Sequence, residues 1–303
     1  MEILPSVLAW LDTQVRVAKS NISDAFTHPK ETLERKAVQL TRGFDAMAGM
    51  PDNGEFGASP QTEKQFPAVG AGTFIAKGSP LWKSALEKKA EELLKAGKSA
   101  REIWADTRTW ISNIDGIWRQ ELDDSTFILN PRMIDAPSAT TTIRDLRLDN
   151  TMEHPQLFMA SPRLRATKAI LKTDPNVKGV FYPGQNAMTV QGPNLSKIRS
   201  TIIHEVQHGL QDEFKMAKGG SPDFIQPEMV PHYQKKFSEY KAMGKSDAEA
   251  ASDAAYSAYW HLAGEAEARL VQARLGYSAE KRAATFPEDD YIGVNVKDLI
   301  LIK

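Results

Sequence analysis

Apolar positions along the chain mark helical stretches toward both ends and a short β-prone stretch between them. From Ser6 to about Met47 they recur at helical spacing among many charges, with a break at His28-Pro29, where the residue before proline is pushed out of the helical region. Two or more short helices are expected there. From Met50 to Pro80, Gly, Pro, Ser and Asn take over, including Pro51-Asp-Asn-Gly54 and Gly70-Ala-Gly72. That is loop chemistry, and it predicts a boundary between an N-terminal helical extension, residues 1–70, and a second domain, residues 71–303. Leu86, Ala90, Leu93 and Leu94 mark a helix from Leu81 to Ala96 that Gly97 would stop, and Ser99 can cap another through Trp104. Thr126–Leu129, Ala169–Leu171, Gly179–Tyr182 and Ala187–Val190 are β-prone runs, the last two joined by a Pro183-Gly184 turn, and they predict a small sheet. Ile198, Ile202, Val206 and Leu210 then define one face of a helix from Leu195 to about Phe214. Gly219 to Pro231 reads as irregular. Ser246 with Glu249 forms a capping box opening a single long helix to about Leu275. The expected fold class is α+β.

Composition narrows the function more than the fold. In 303 residues, 41% are apolar and 25% charged, which excludes wholesale disorder or a fibrous repeat. Lys and Arg number 38 against 39 acidic residues, a net charge of -1, so no bulk positive field would draw the chain to nucleic acid or anionic lipid. No run approaches the ~18 to 20 apolar residues of a membrane-spanning helix, and none is expected. Glu2 and Asp12 interrupt the opening segment where a secretory signal would be basic and then unbroken apolar, so no such signal is expected. With no cysteine, any transition metal must be held by His and carboxylate.

The sequence offers such a set in His204-Glu205-Val206-Gln207-His208, which is H-E-x-x-H. Residues i and i+4 on a helix share a face, so both imidazoles can reach one Zn2+ ion. Glu205 is turned about 100° from His204, beside the metal position, where it can take a proton from a metal-activated water. Zinc needs a third protein ligand, and the candidates are His232, His261, Glu265 and Glu267. Glu265 and Glu267 are about 200° apart on a helix, so only one of them can face the site. If that one is Glu265, replacing Glu267 should leave zinc binding nearly intact. His261, one turn before Glu265, would then be a supporting hydrogen-bond partner of the site.

Glu265-x-x-Ala268 followed by polar Arg269 resembles the third-ligand helix of gluzincin-type peptidases, which implies that Glu265 binds zinc and that the residue four later supports the ligands. Gly72-Thr-Phe-Ile75, Arg101-Glu102-Ile-Trp104, Asp115-Gly-Ile-Trp118-Arg119-Gln120-Glu121 and Asp123-Asp124 look like the opening of a zincin-like metallopeptidase domain found in large polyvalent proteins of bacteriophages and related mobile elements. His154-Pro155-Gln-Leu-Phe158, Ile203 to Gln211, Gly219-Gly220-Ser221 and Tyr259 to Arg269 continue it in order, so the likeness covers roughly Gly72 to Pro287. Departures are Arg108, where glycine is expected after Thr107, and Ser161, where an aromatic residue precedes the proline.

The resemblance implies a zinc-dependent hydrolase, a peptidase with peptide or protein substrates, peptidoglycan peptides among them. One alternative is a virion or ejection component that keeps the zinc fold as scaffold, with phage structural proteins as partners and the N-terminal extension serving attachment; the other is a peptidoglycan amidase or endopeptidase, which shares the zinc chemistry and differs in substrate. The strand Ala187 to Val190, just before the active-site helix, is expected to be an edge for an extended peptide. Trp104, Trp110 and Trp118 are expected to pack a hairpin and its neighbouring helix, and His28 and His154 to be turn residues. Gly219-Gly220 is expected to be an ordinary turn rather than a flexible lip. Tyr256 and Tyr259 are candidates for stabilising an oxyanion or bonding a zinc ligand, beside simple packing.

Overall fold

The computed structural model describes residues 72–122, 124, 127–135, 146–225 and 230–302. The expected extension over residues 1–70, with His28, lies outside them, as does Thr126. Within them the chain is mixed α and β, with eight short strands in three small sheets and ten α-helices.

The turn-rich stretch before Pro80 contains a strand, β1 (Phe74–Ile75). Two residues show no readable period, and only burial and pairing make them a strand. The helix expected from Leu81 is α1 (Ser84–Lys95), followed by Gly97 at φ +79°. Ser99 and Glu102 form the capping box of α2 (Ala100–Thr107), which runs past Trp104 and stops at Arg108 in the left-handed region. Glycine is the residue expected there because that backbone conformation suits it. Arg108 takes it with φ 53°, its guanidinium lying 4.2 Å over the Trp104 ring. β2 (Thr109–Ile111) and β3 (Trp118–Glu121) form the hairpin the tryptophans predicted, and β3 pairs with β1 on its other side. Trp110 is buried edge-on against Phe74 at 5.2 Å, and Trp104 edge-on against Phe286 at 5.7 Å.

β4 (Ile128–Leu129) pairs with β5 (Met152–Glu153), which follows the single turn α3 (Leu148–Thr151). His154, expected in a turn, is a buried cap of α4 (Pro155–Ala160). Its Nδ1 accepts from the Leu157 N–H, so Nε2 is the protonated nitrogen, donating to Asp124 at 2.7 Å. Ser161 caps α5 (Pro162–Arg165) and bonds Glu213.

β6 (Lys168–Thr173), β7 (Lys178–Tyr182) and β8 (Ala187–Gly192) form the third sheet. The Pro183-Gly184 turn joins β7 to β8 antiparallel as expected, but β6 lies parallel on the other side of β8. The strand expected at an edge is therefore the central one. A parallel partner beyond the hairpin leaves no local mark, and β6 and β7 are the outer strands instead.

Asn194 caps α6 (Leu195–Phe214) through the Lys197 N–H, and its predicted stripe of Ile198, Ile202, Val206 and Leu210 is almost fully buried in the main core with Met188, Val190, Ala169 and Leu171. α7 (Pro231–Ala242) and α8 (Asp247–Trp260) form a hairpin with its own small core of Val230, Tyr233, Ala254 and Ala258. The predicted long helix is two helices. It breaks at Leu262, with ψ 131°, before α9 (Ala263–Arg274), because Ile300 N–H bonds His261 O and Ala263 N–H bonds Ile300 O. Backbone bonds to the C-terminal segment replace the helical ones. α10 (Ala279–Ala284) follows. No helix of the described residues is long and apolar enough to cross a membrane.

Candidate metal centre

His204 and His208 sit one turn apart on α6, their rings 4.8 Å apart and nearly perpendicular, with the two Nε2 atoms 3.1 Å from each other. Glu265, in the first turn of α9, faces them: Oε1 is 3.2 Å from His208 Nε2 and Oε2 is 3.4 Å from His204 Nε2. One ligand atom from each residue lies within 4.8 Å of the others. The donor set of two imidazoles and a carboxylate suits Zn2+, and Glu265 Oε2 is buried with no hydrogen-bond partner among the described residues. A cation between the three would satisfy that oxygen. Without one, the charges compensate one another. Burial disfavours the charged form of His208, but Glu265 outweighs it and holds its pKa up at about 9. Burial likewise opposes the Glu265 carboxylate, and the two histidines override it, holding its pKa well below the usual range.

Glycine lets the backbone close around these ligands. A Cβ at Gly219 would lie 2.3 Å from Glu265 Oε1 and 2.4 Å from His208 Cε1, and one at Gly264 would lie 2.2 Å from the Lys218 carbonyl carbon. Gly220 N–H donates to Glu265 Oε1 at 2.9 Å. Gly219-Gly220, expected to be an ordinary turn, is thus a close backbone wall against two of the three side chains. Gly219→Ala is expected to weaken zinc binding by about 10-fold, read by competition with a chromophoric chelator, since the added methyl displaces both side chains.

Glu205 is buried beside the cluster and beneath β7. The Phe181 backbone N–H bonds its carboxylate, and a Cβ at Gly179 would lie 2.2 Å from Glu205 Oε1. Burial raises the pKa of Glu205 above its ordinary value, against the pull of His204 and His208.

Glu267 points elsewhere than Glu265, as the helix phase requires, but not into solvent. Its Oε2 accepts from Arg119 Nε at 3.2 Å and Nη2 at 3.1 Å, and its Oε1 from Gln207 Nε2 at 2.8 Å and Gln211 Nε2 at 3.1 Å. Arg119 Nη2 also donates to Asp115 Oδ2 at 2.7 Å, and Gln211 Oε1 lies 2.8 Å from His208 Nδ1. The expectation that Glu267 is indifferent to the site therefore changes, since it is two hydrogen bonds from His208. Sequence reasoning did not single out Gln207, Gln211 or Arg119 as part of the site's surroundings. The available signal was two glutamines spaced i,i+4 beside the histidine pair on the same helix.

The break at Leu262 moves His261 off the face of Glu265. Its ring lies tilted against His232 at 4.3 Å, and its Nδ1 bonds Ser257 O at 2.7 Å, while His232 Nε2 bonds Ser257 Oγ at 3.0 Å. The metal-ligand cluster contains neither of these histidines. Arg269, four residues after Glu265, lies over the Trp260 ring at 3.8 Å and bonds its carbonyl rather than a ligand. Tyr259 does reach the cluster: burial and then the Glu265 carboxylate beside it push its hydroxyl well above the usual value, so it stays a donor. Tyr256 stacks on Trp260 and lies tilted against Tyr259.

No curated protein and no solved structure matches the chain. Residues 75–130 match the family described as large polyvalent protein associated domain 23. This stretch holds α1, α2, the β2–β3 hairpin and the Asp115–Arg119 pair, and it stops short of all three clustered side chains. It supports a link to large polyvalent proteins over the opening part of the resemblance.

Proposed function

We propose that the chain is a zinc-dependent hydrolase of gluzincin type, a peptidase whose zincin-like core consists of the β6-β8-β7 sheet, α6 and α9. The convergence of His204, His208 and Glu265, with Glu205 alongside, carries the reading. Zinc held by those three would supply a Lewis acid that acidifies a water and polarises an amide carbonyl. Glu205 accepts a proton on its carboxylate and returns it to the departing amine, and burial, which raises its pKa, favours the protonated form it must pass through. The Tyr259 hydroxyl, adjacent to Glu265, donates to the oxygen that gains charge. An extended peptide would lie along β7, the outer strand whose Phe181 N–H holds Glu205.

The test is metal analysis of the purified protein paired with unbiased substrate profiling, over peptides and peptidoglycan fragments, of wild type and Glu205→Gln. Zinc together with cleavage that depends on Glu205 supports the proposal. Zinc without any cleavage would favour the virion or ejection scaffold. Gly179→Ala supplies an independent check. The added methyl presses on Glu205 and not on the metal ligands, so hydrolysis should fall while zinc content stays near one per chain.

A further inference from the structure

The buried chain Asp115, Arg119, Glu267, Gln211, His208 fixes the direction of each of its hydrogen bonds by valence alone. A guanidinium only donates, and an ionised carboxylate only accepts. Arg119 therefore occupies Glu267 Oε2, and Glu267 Oε1 takes N–H bonds from Gln207 and Gln211. The same Gln211 nitrogen also donates to Gly264 O at 2.9 Å. With its NH2 group directed at two acceptors, Gln211 turns its amide oxygen to His208 Nδ1, and an amide oxygen can only accept. Nδ1 must then carry the proton.

We infer that Arg119 and Glu267 are positioning residues: acting through Gln211, they fix the His208 proton on Nδ1 and keep Nε2 open as a metal ligand. This rests on the metal reading of the cluster. Asp115 secures the far end, where Oδ2 accepts from both Arg119 Nη2 and the Ala217 N–H. The control is one-sided, because His204 Nδ1 is buried with no hydrogen-bond partner among the described residues. It also gives the hairpin of the family-matched stretch a role at a site to which it contributes no ligand.

An isosteric change should break the device. In Glu267→Gln the amide oxygen is claimed by Arg119, leaving an NH2 group against the NH2 groups of Gln207 and Gln211. Gln211 relieves that contact by turning over at the cost of its bond to Gly264 O, and the turned-over amide offers His208 Nδ1 a donor and moves the proton to Nε2, where the metal should bind. Gln211→Leu removes the acceptor directly and leaves the Arg119–Glu267 pair intact, so its effect is separate from loss of a buried ion pair.

Cobalt(II) titrations followed by visible absorption, on wild type and both variants, test this, together with thermal unfolding of each metal-free protein. Both variants should bind cobalt about 10- to 100-fold more weakly. In the cobalt-loaded wild type, the paramagnetically shifted His208 Nδ1–H should exchange slowly with water, and in Gln211→Leu it should exchange fast. Two folded variants that bind cobalt as tightly as wild type would overturn the inference and leave the metal site standing. A wild type that takes up no cobalt would overturn both.

Discussion

Glu205→Gln should keep the fold and one zinc per chain while hydrolysis falls ~100-fold or more, because the change removes a general base and leaves a near-isosteric side chain. The carboxylate is buried, bonded by the Phe181 N–H and closed over by Gly179, so the amide can occupy the same space. Its loss should appear in kcat, with little change in KM, since the residue acts on a proton in flight rather than on bound substrate. Metal content by atomic absorption, beside steady-state kinetics on a substrate found by profiling, reads both halves. Equal rates in the two proteins would remove Glu205 from the chemistry.

Loss of a ligand should be more drastic. Glu265→Ala and His204→Ala should each weaken zinc binding by orders of magnitude, whereas His261→Ala should leave it near wild type, because His261 faces His232 across Ser257. Glu265→Ala also leaves His208 without the carboxylate that raises its pKa, so a metal-free variant gains no compensating pair. Zinc that binds only the native state stabilises by about 4.1 kcal/mol at a free concentration 1,000 times Kd. Wild type should therefore show a rise in Tm with added zinc, and the two ligand variants should show none. A rise of equal size in Glu265→Ala would remove that residue from the ligand set.

The sequence by itself determined the elements whose information is local. The Ile198 to Leu210 stripe and the H-E-x-x-H spacing placed α6 and both imidazoles on one face, since i and i+4 coincide on any helix. Helix phase also separated Glu265 from Glu267, and the structure keeps them apart, one at the histidines and the other at Arg119. The capping boxes at Ser99 and Ser246 were legible because both partners are three residues apart.

What depended on distant partners was not legible. α8 and α9 carry an uninterrupted helical pattern, yet Ile300 bonds the backbone on both sides of Leu262 and divides them, which moved His261 away from the site. β8 alternates like an edge strand and becomes central only because β6 lies against it in parallel. Glu267 resembled a solvated charge until the hairpin brought Arg119 beneath it, 148 residues away in sequence. Periodicity records which face of an element avoids water; it carries no record of which other element covers that face, and that pairing decided which polar groups surround the metal position.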